Sequence, residues 1–257
     1  RLTVFAGGWT LEAAEVVGAG DGLERDDVLD LLGRLGARSL VVAELGGPGD
    51  ARYHLLETLR QYGRERLVAS GEAESVRARH AAYYLALAEE AEPHLVRREQ
   101  IEWLDRLEED YDNLRAALRW SVEGGDVQAG LRAGAALRTF WWLRGHAVAE
   151  RGWQEALLAA PGAAAPTAAW AKAQVWAGMS VYVLDDWQRG KTLLEEGLAL
   201  ARRVDALGTA ALALLRLGEI AWQRQGDLAL ARRLKEEGLA LYRALDDPWG
   251  VAWSLVH

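Results

Sequence analysis

The stretch Glu195-Glu196-Gly197-Leu198-Ala199-Leu200 returns as Glu236-Glu237-Gly238-Leu239-Ala240-Leu241, an offset of 236 − 195 = 41 residues that also carries Arg202 to Arg243 and Asp205 to Asp246. A repeat of this length, with apolar residues three and four apart, describes helix pairs that stack into a solenoid, because each pair buries its apolar face only against its neighbours. Such stacks present a long surface. Recognition, rather than catalysis, is the function they predict.

Gly178 and Gly218 are the small residues at which the two helices of a pair would cross, with Gly190, Gly197, Ala231 and Gly238 as small partners on the second helix. On that register the first helices span 126–144, 167–184 and 206–225, the second helices 147–159, 187–204 and 228–245, and another first helix starts at 248–257. The pattern matches tetratricopeptide repeats, 7 residues longer than the standard period of about 34. In such repeats the groove is lined one and four positions past the crossing glycine, which selects Met179 and Glu219, then Tyr182 and Trp222. One period before Tyr182 stands Trp141, and Trp142, Val183 and Gln223 are adjacent. An aromatic strip of this kind suits a protein or small-molecule effector, because rigid rings give contact area at low entropy cost. The competing reading makes these rings inter-repeat core, a use that a chain with 12 Trp has in plenty. Val175 and Met179 stand where chaperone-tail receptors carry Lys and Asn, which argues against that partner.

Charge narrows the partners further. The formal net charge is −8, and residues 1–70 carry eight basic against eleven acidic side chains, so no basic footprint for phosphate binding is expected and no direct nucleic-acid contact. The chain has no Cys, no long apolar run and no leader pattern, which together predict a cytoplasmic protein without a membrane span. It opens on Arg1 and closes part-way into a repeat, so it reads as a piece of a longer protein. Acidic runs such as Glu89-Glu90 and Glu108-Glu109-Asp110 suit helix ends and solvent, and His80, His94 and His146 lack ligand spacing, so no metal site is expected.

The first segment has a different grammar. Leu11–Val17 is a short helical run, and Val28, Leu31, Leu32 and Leu35 give a second helix that Asp26-Asp27 opens and Gly36 ends. Residues 39–44 and 51–56 read as strands joined by the turn cluster Gly46-Gly47-Pro48-Gly49-Asp50, and a helix closing at Gly71 follows. Helix, helix, hairpin, helix is a winged-helix order. Helices over 75–91, 99–107 and 109–123 come next, bounded by Pro93 and Gly124-Gly125. The expected fold is mainly α: a partial winged helix with one hairpin at 1–71, a helical connector at 72–125 and a repeat solenoid at 126–257.

Arg1-Leu-Thr-Val-Phe-Ala-Gly-Gly-Trp-Thr-Leu-Glu-Ala-Ala-Glu15, Leu35-Gly-Ala-Arg-Ser-Leu-Val-Val42 and Arg52-Tyr-His-Leu-Leu-Glu-Thr-Leu-Arg-Gln-Tyr62 resemble the winged helix of bacterial signal-transducing NTPases of the STAND class. The resemblance continues through Arg79-His-Ala-Ala-Tyr-Tyr-Leu85, Trp103-Leu-Asp-Arg-Leu-Glu108, Asp112-Asn-Leu-Arg-Ala-Ala-Leu-Arg-Trp120 and Phe140-Trp-Trp-Leu-Arg-Gly145. It implies the sensor-and-switch portion of a regulator of the LuxR or antibiotic-pathway kind, with ATP or ADP and Mg held by an NB-ARC module outside this chain. The intramolecular partner would be that module. No G-x-x-x-x-G-K-[ST] loop occurs here, so no enzyme activity and no bound cofactor are expected of the chain itself. Where the class often carries a phosphate-contacting His, this sequence has Leu56 and Glu57; His54, two positions earlier, is the candidate surrogate, and an ordinary hairpin residue is the alternative.

A DNA-binding winged helix with the repeats as an oligomerisation scaffold is the second function class. The run Asp26–Leu35 speaks against it, since it supplies Arg34 alone against Asp26, Asp27 and Asp30.

Overall fold

The computed structural model describes residues 1–45, 51–183 and 186–256. The expected turn cluster at 46–50 lies outside these residues, as does Asp185, which with Asp186 spells the turn between the expected helices at 167–184 and 187–204. The chain is mainly helical, a winged-helix N-terminus followed by helical repeats. It divides into two compact units, Arg1–Asp126 and Val127–His257.

In the first unit a 3-10 turn (Leu2–Val4) leads to β1 (Trp9–Thr10), α1 (Leu11–Gly18), α2 (Arg25–Ala37), β2 (Val41–Leu45), β3 (Ala51–Leu55) and α3 (Glu57–Ala69). Thr10 caps α1, its hydroxyl accepting from the Ala13 N–H at 3.2 Å. Val28 and Leu32, one turn apart on α2, are buried as their spacing predicts. The sheet has the order β1-β3-β2, all antiparallel, with Val42 opposite His54 and Trp9 opposite Tyr53. The hairpin is where the β-branched run placed it; β1 is an addition. Two residues carry no period that a sequence reading can detect, and the strand exists because the buried Trp9 is drawn onto the core beside Phe5.

The next helices, α4 (Ala73–Ala91), α5 (Gln100–Glu109) and α6 (Tyr111–Val122), include a second 3-10 turn at His94–Val96 that separates α4 from α5. Residues 72–125 pack into the same unit as the winged helix. Phe5 stacks on Trp9 with centroids 5.0 Å apart and meets Tyr84 of α4 edge-on at 6.4 Å, while His80 lies 4.7 Å from the Tyr84 ring. Asn113 of α6, fully buried, accepts from the Ala6 N–H at 2.8 Å and donates to the Gly8 carbonyl at 2.8 Å. Arg52 on β3 donates to the Gly8 carbonyl, the Glu109 carbonyl and the Asp110 carboxylate, the last at 2.7 Å. Three sequence-distant segments are thus held by one polar network under an aromatic cluster.

The second unit consists of α7 (Val127–Ala136), α8 (Arg138–Arg144), α9 (Ala147–Ala159), α10 (Ala168–Val183), α11 (Trp187–Arg203), α12 (Leu207–Gln223), α13 (Leu228–Ala244) and α14 (Pro248–Val256). The first two of these replace one expected helix. At Leu137 ψ opens to −7°, although the Leu137 N–H still reaches the Ala133 carbonyl and the Trp141 N–H the Leu137 carbonyl, both at 2.9 Å. The 41-residue period is visible in the backbone. Asp186 and Asp227 cap α11 and α13 through the Arg189 and Leu230 amides, and Asp205 and Asp246 both take positive φ, 55° and 51°, at the turns that end these helices.

Close approach of α10 and α11 depends on two glycines. A Cβ on Gly178 would sit 2.9 Å from the Gly190 carbonyl oxygen and 3.1 Å from the Leu194 nitrogen, and one on Gly190 would sit 2.9 Å from the Gly178 oxygen. These neighbours are backbone and cannot swing aside. Gly178→Val is therefore expected to cost about 1–3 kcal/mol or more, by forcing the helices apart. Urea unfolding of the variant checks this; an unchanged midpoint would mean that the helix pair is not locked at this crossing.

Candidate functional site

A cavity of about 300 Å³ opens in the second unit between α8, α10, α12 and α14, lined by Arg138, Trp142, Met179, Tyr182, Val183, Arg216 and Trp253, with Leu194 of α11. Four residues selected from the repeat register, Trp142, Met179, Tyr182 and Val183, come together in it. The other four do not. Trp141 is wholly enclosed, so the ring facing the cavity from α8 is its neighbour Trp142, 68% exposed. Trp222 is half exposed but lies outside the lining, its ring under the Lys235 ammonium at 5.2 Å. Gln223 accepts a hydrogen bond from the Tyr182 hydroxyl at 2.7 Å, and Glu219 is buried against Arg216, whose Nη1 donates to both its oxygens at 3.0 and 2.9 Å. The aromatic strip is therefore Trp142, Tyr182 and Trp253.

The sequence reading missed Arg138, Arg216 and Trp253. They depart from the repeat: positions 175 and 212, one period before Arg216 and Trp253, are Val and Leu. Arg138 lies over Trp176 at 4.2 Å and Arg216 over Trp253 at 5.3 Å. Burial draws the Arg138 guanidinium down to about 10, against the attraction of Glu150 at 3.5 Å, and burial likewise raises the Glu150 carboxyl. Both shifts carry the sign of a pair whose desolvation outweighs its mutual attraction. Chemically the cavity offers aromatic walls and two guanidinium groups, each already tied to a carboxylate.

In the first unit the surface of α2 is mixed. Asp26, Asp27 and Asp30 are exposed on its first half and Arg34 and Arg38 at its end, while Arg25 is engaged with Glu15 at 3.0 Å. His54 sits on β3 with its ring 3.6 Å from the Glu44 carboxylate and so close over Gly8 that a Cβ there would fall 2.3 Å from the ring. The ring is part of the packing of β3 on the Gly8 loop. Among the described residues no group of three His, Cys, Asp or Glu side chains could hold a metal ion, and no helix is long and apolar enough to cross a membrane.

Residues 1–68 match the family model of the winged helix-turn-helix domain. They take in the β1-β3-β2 sheet, α1, α2 and nearly all of α3. The chain is also 41% identical over 158 residues to proteins named "Putative HTH-type transcriptional regulator" in Mycobacterium bovis and Mycobacterium tuberculosis, covering 62% of this chain and 18% of each relative. An "Uncharacterized protein" of Mycobacterium bovis is 44% identical over 81 residues, 31% of this chain and 20% of its own length. The chain thus spans about a fifth of the curated relatives it matches.

Proposed function

We propose that this chain serves transcriptional regulation as part of a larger HTH-type regulator, its winged helix making a DNA contact and its helical repeats forming the scaffold on which copies or partners assemble. The match of residues 1–68 to the winged helix-turn-helix domain carries this reading, and the names of the relatives support it. The charge pattern on α2 limits the contact to the Arg34 and Arg38 end, where guanidinium groups meet phosphates rather than base edges. Binding is then weak and salt-sensitive. A short DNA duplex titrated at low salt should be retained, with a slope of about −0.9 in log affinity per log salt for each phosphate engaged, and Arg34→Ala with Arg38→Ala should release it. A duplex left free at low salt would overturn the DNA contact.

A second reading is favoured by the exposed Asp26, Asp27 and Asp30, which repel a phosphate backbone. In it the chain is the sensor of a STAND-class NTPase: tetratricopeptide-like repeats take a protein or small-molecule effector in the Trp142–Tyr182–Trp253 cavity, and the winged helix relays occupancy to a nucleotide-binding module. Relay requires the effector to bind the two switch states unequally. ATP or ADP and Mg would belong to that module, the chain itself being no enzyme, and a cytoplasmic location accompanies either reading. Failure of the duplex titration favours this second arrangement.

A further inference from the structure

We propose that a cleft in the first unit, walled by Arg64 of α3, Arg77 of α4 and Arg119 of α6, binds the phosphoryl group of a small anion. The cleft holds about 350 Å³, a volume in the range of small-ligand sites, and has Thr3, His80 and Trp120 among its lining. It lies apart from the Arg34 and Arg38 end of α2, and it does not rest on a DNA contact there.

Charge is the first argument. Three guanidinium groups face one carboxylate, Glu123, in the lining of a cleft that belongs to a chain of formal net charge −8. Several other arginines of this unit are neutralised in place: Arg1 by Glu72, Arg52 by Asp110, Arg60 by Glu57 and Arg79 by Asp21. Arg77 and Arg119 make no ion pair among the described residues, and Arg64 is tethered only through Nε, which donates to the Thr3 carbonyl at 3.3 Å. Three cations from three different helices meet a single carboxylate around one concavity.

The remaining groups select the ligand. A phosphoryl group brings close to two negative charges and three acceptor oxygens, which matches three guanidinium forks, whereas a carboxylate offers one charge and two oxygens. His80 contributes no positive charge, because burial keeps its ring neutral above about pH 4. The Thr3 hydroxyl is buried without a hydrogen-bond partner. Trp120 is held by Nε1 donating to Glu74 at 2.9 Å and by its ring lying over Gly125, where a Cβ would come within 2.4 Å. A fixed indole beside the cations gives an organic phosphate a surface to lie against.

The test is calorimetric titration of the full chain with inorganic pyrophosphate, without divalent metal and at low salt. Saturable one-site binding is expected, weakened at least tenfold by Arg77→Ala and by Arg119→Ala, and unchanged by Arg98→Ala, an exposed side chain outside the cleft. These side chains are exposed, so equal melting curves confirm that the variants fold. Adenosine monophosphate binding more tightly than orthophosphate assigns an organic phosphate; equal affinities assign an inorganic one. Absence of saturable heat, or affinity that survives the Arg77→Ala and Arg119→Ala pair, overturns the site. So does a duplex that needs these arginines while pyrophosphate does not bind, since the surface would then be a nucleic-acid contact.

Discussion

Replacing Asn113 by Leu is expected to destabilise the first unit by roughly 1–3 kcal/mol, the order of magnitude for one enclosed backbone group left without its partner. The substitution keeps the number and branching of side-chain heavy atoms and removes the polarity. The part-buried Ala6 amide would lose its 2.8 Å acceptor, the buried Gly8 carbonyl would lose the shorter of its two donors and keep Arg52 at 3.0 Å, and His80, 3.4 Å from the same Asn113 oxygen, would lose its polar neighbour. Because this loop carries Phe5 and Trp9, its release would also loosen the aromatic cluster against Tyr84. Equilibrium urea unfolding, followed by near-UV circular dichroism, measures the loss. A midpoint within error of the parent would show that the loop is held by its rings alone.

The second large effect is acid sensitivity from His80. Burial pulls its imidazole from an ordinary 6.5 down to about 4 in the folded chain, partly offset by the hydrogen bond with Asn113. The unfolded chain therefore takes up a proton that the folded chain refuses between these values. Stability from this group is fully present above pH 6.5 and is lost as pH falls through 4, an amount of about 3 kcal/mol, since each tenfold loss of proton affinity on folding is worth about 1.4 kcal/mol. Unfolding free energies at pH 7 and pH 4 should differ by that much more in the parent than in His80→Gln. Equal pH dependence in the two proteins would place the acid sensitivity elsewhere, in the carboxylates.

Much of the fold was legible in the chain because local rules and the final packing agree. The 41-residue return of Glu-Glu-Gly-Leu-Ala-Leu announces stacked helix pairs, Gly178 and Gly190 sit where helices must touch, and the β-branched run at 39–44 opposite 51–56 marks the hairpin. The site was legible only in part. Met179, Tyr182 and Val183 follow the register on α10, an unbroken helix, and line the cavity; Trp141, one period earlier, is wholly enclosed, because burial of a ring is decided by its neighbours and not by the repeat spacing.

Rules that act within a few positions, namely periodicity, caps and turn residues, were enough to say which segments are helical, where the repeat turns fall and that a hairpin interrupts the first unit. The remaining features arise only from packing. It paired Trp9 with Tyr53 as a third strand, brought Asn113 under a loop 105 residues away, and set Arg138 and Arg216 over Trp176 and Trp253. Each of these contacts joins residues with no common period, selected by burial and by the need of enclosed polar groups for partners, and that selection operates only once the helices have packed.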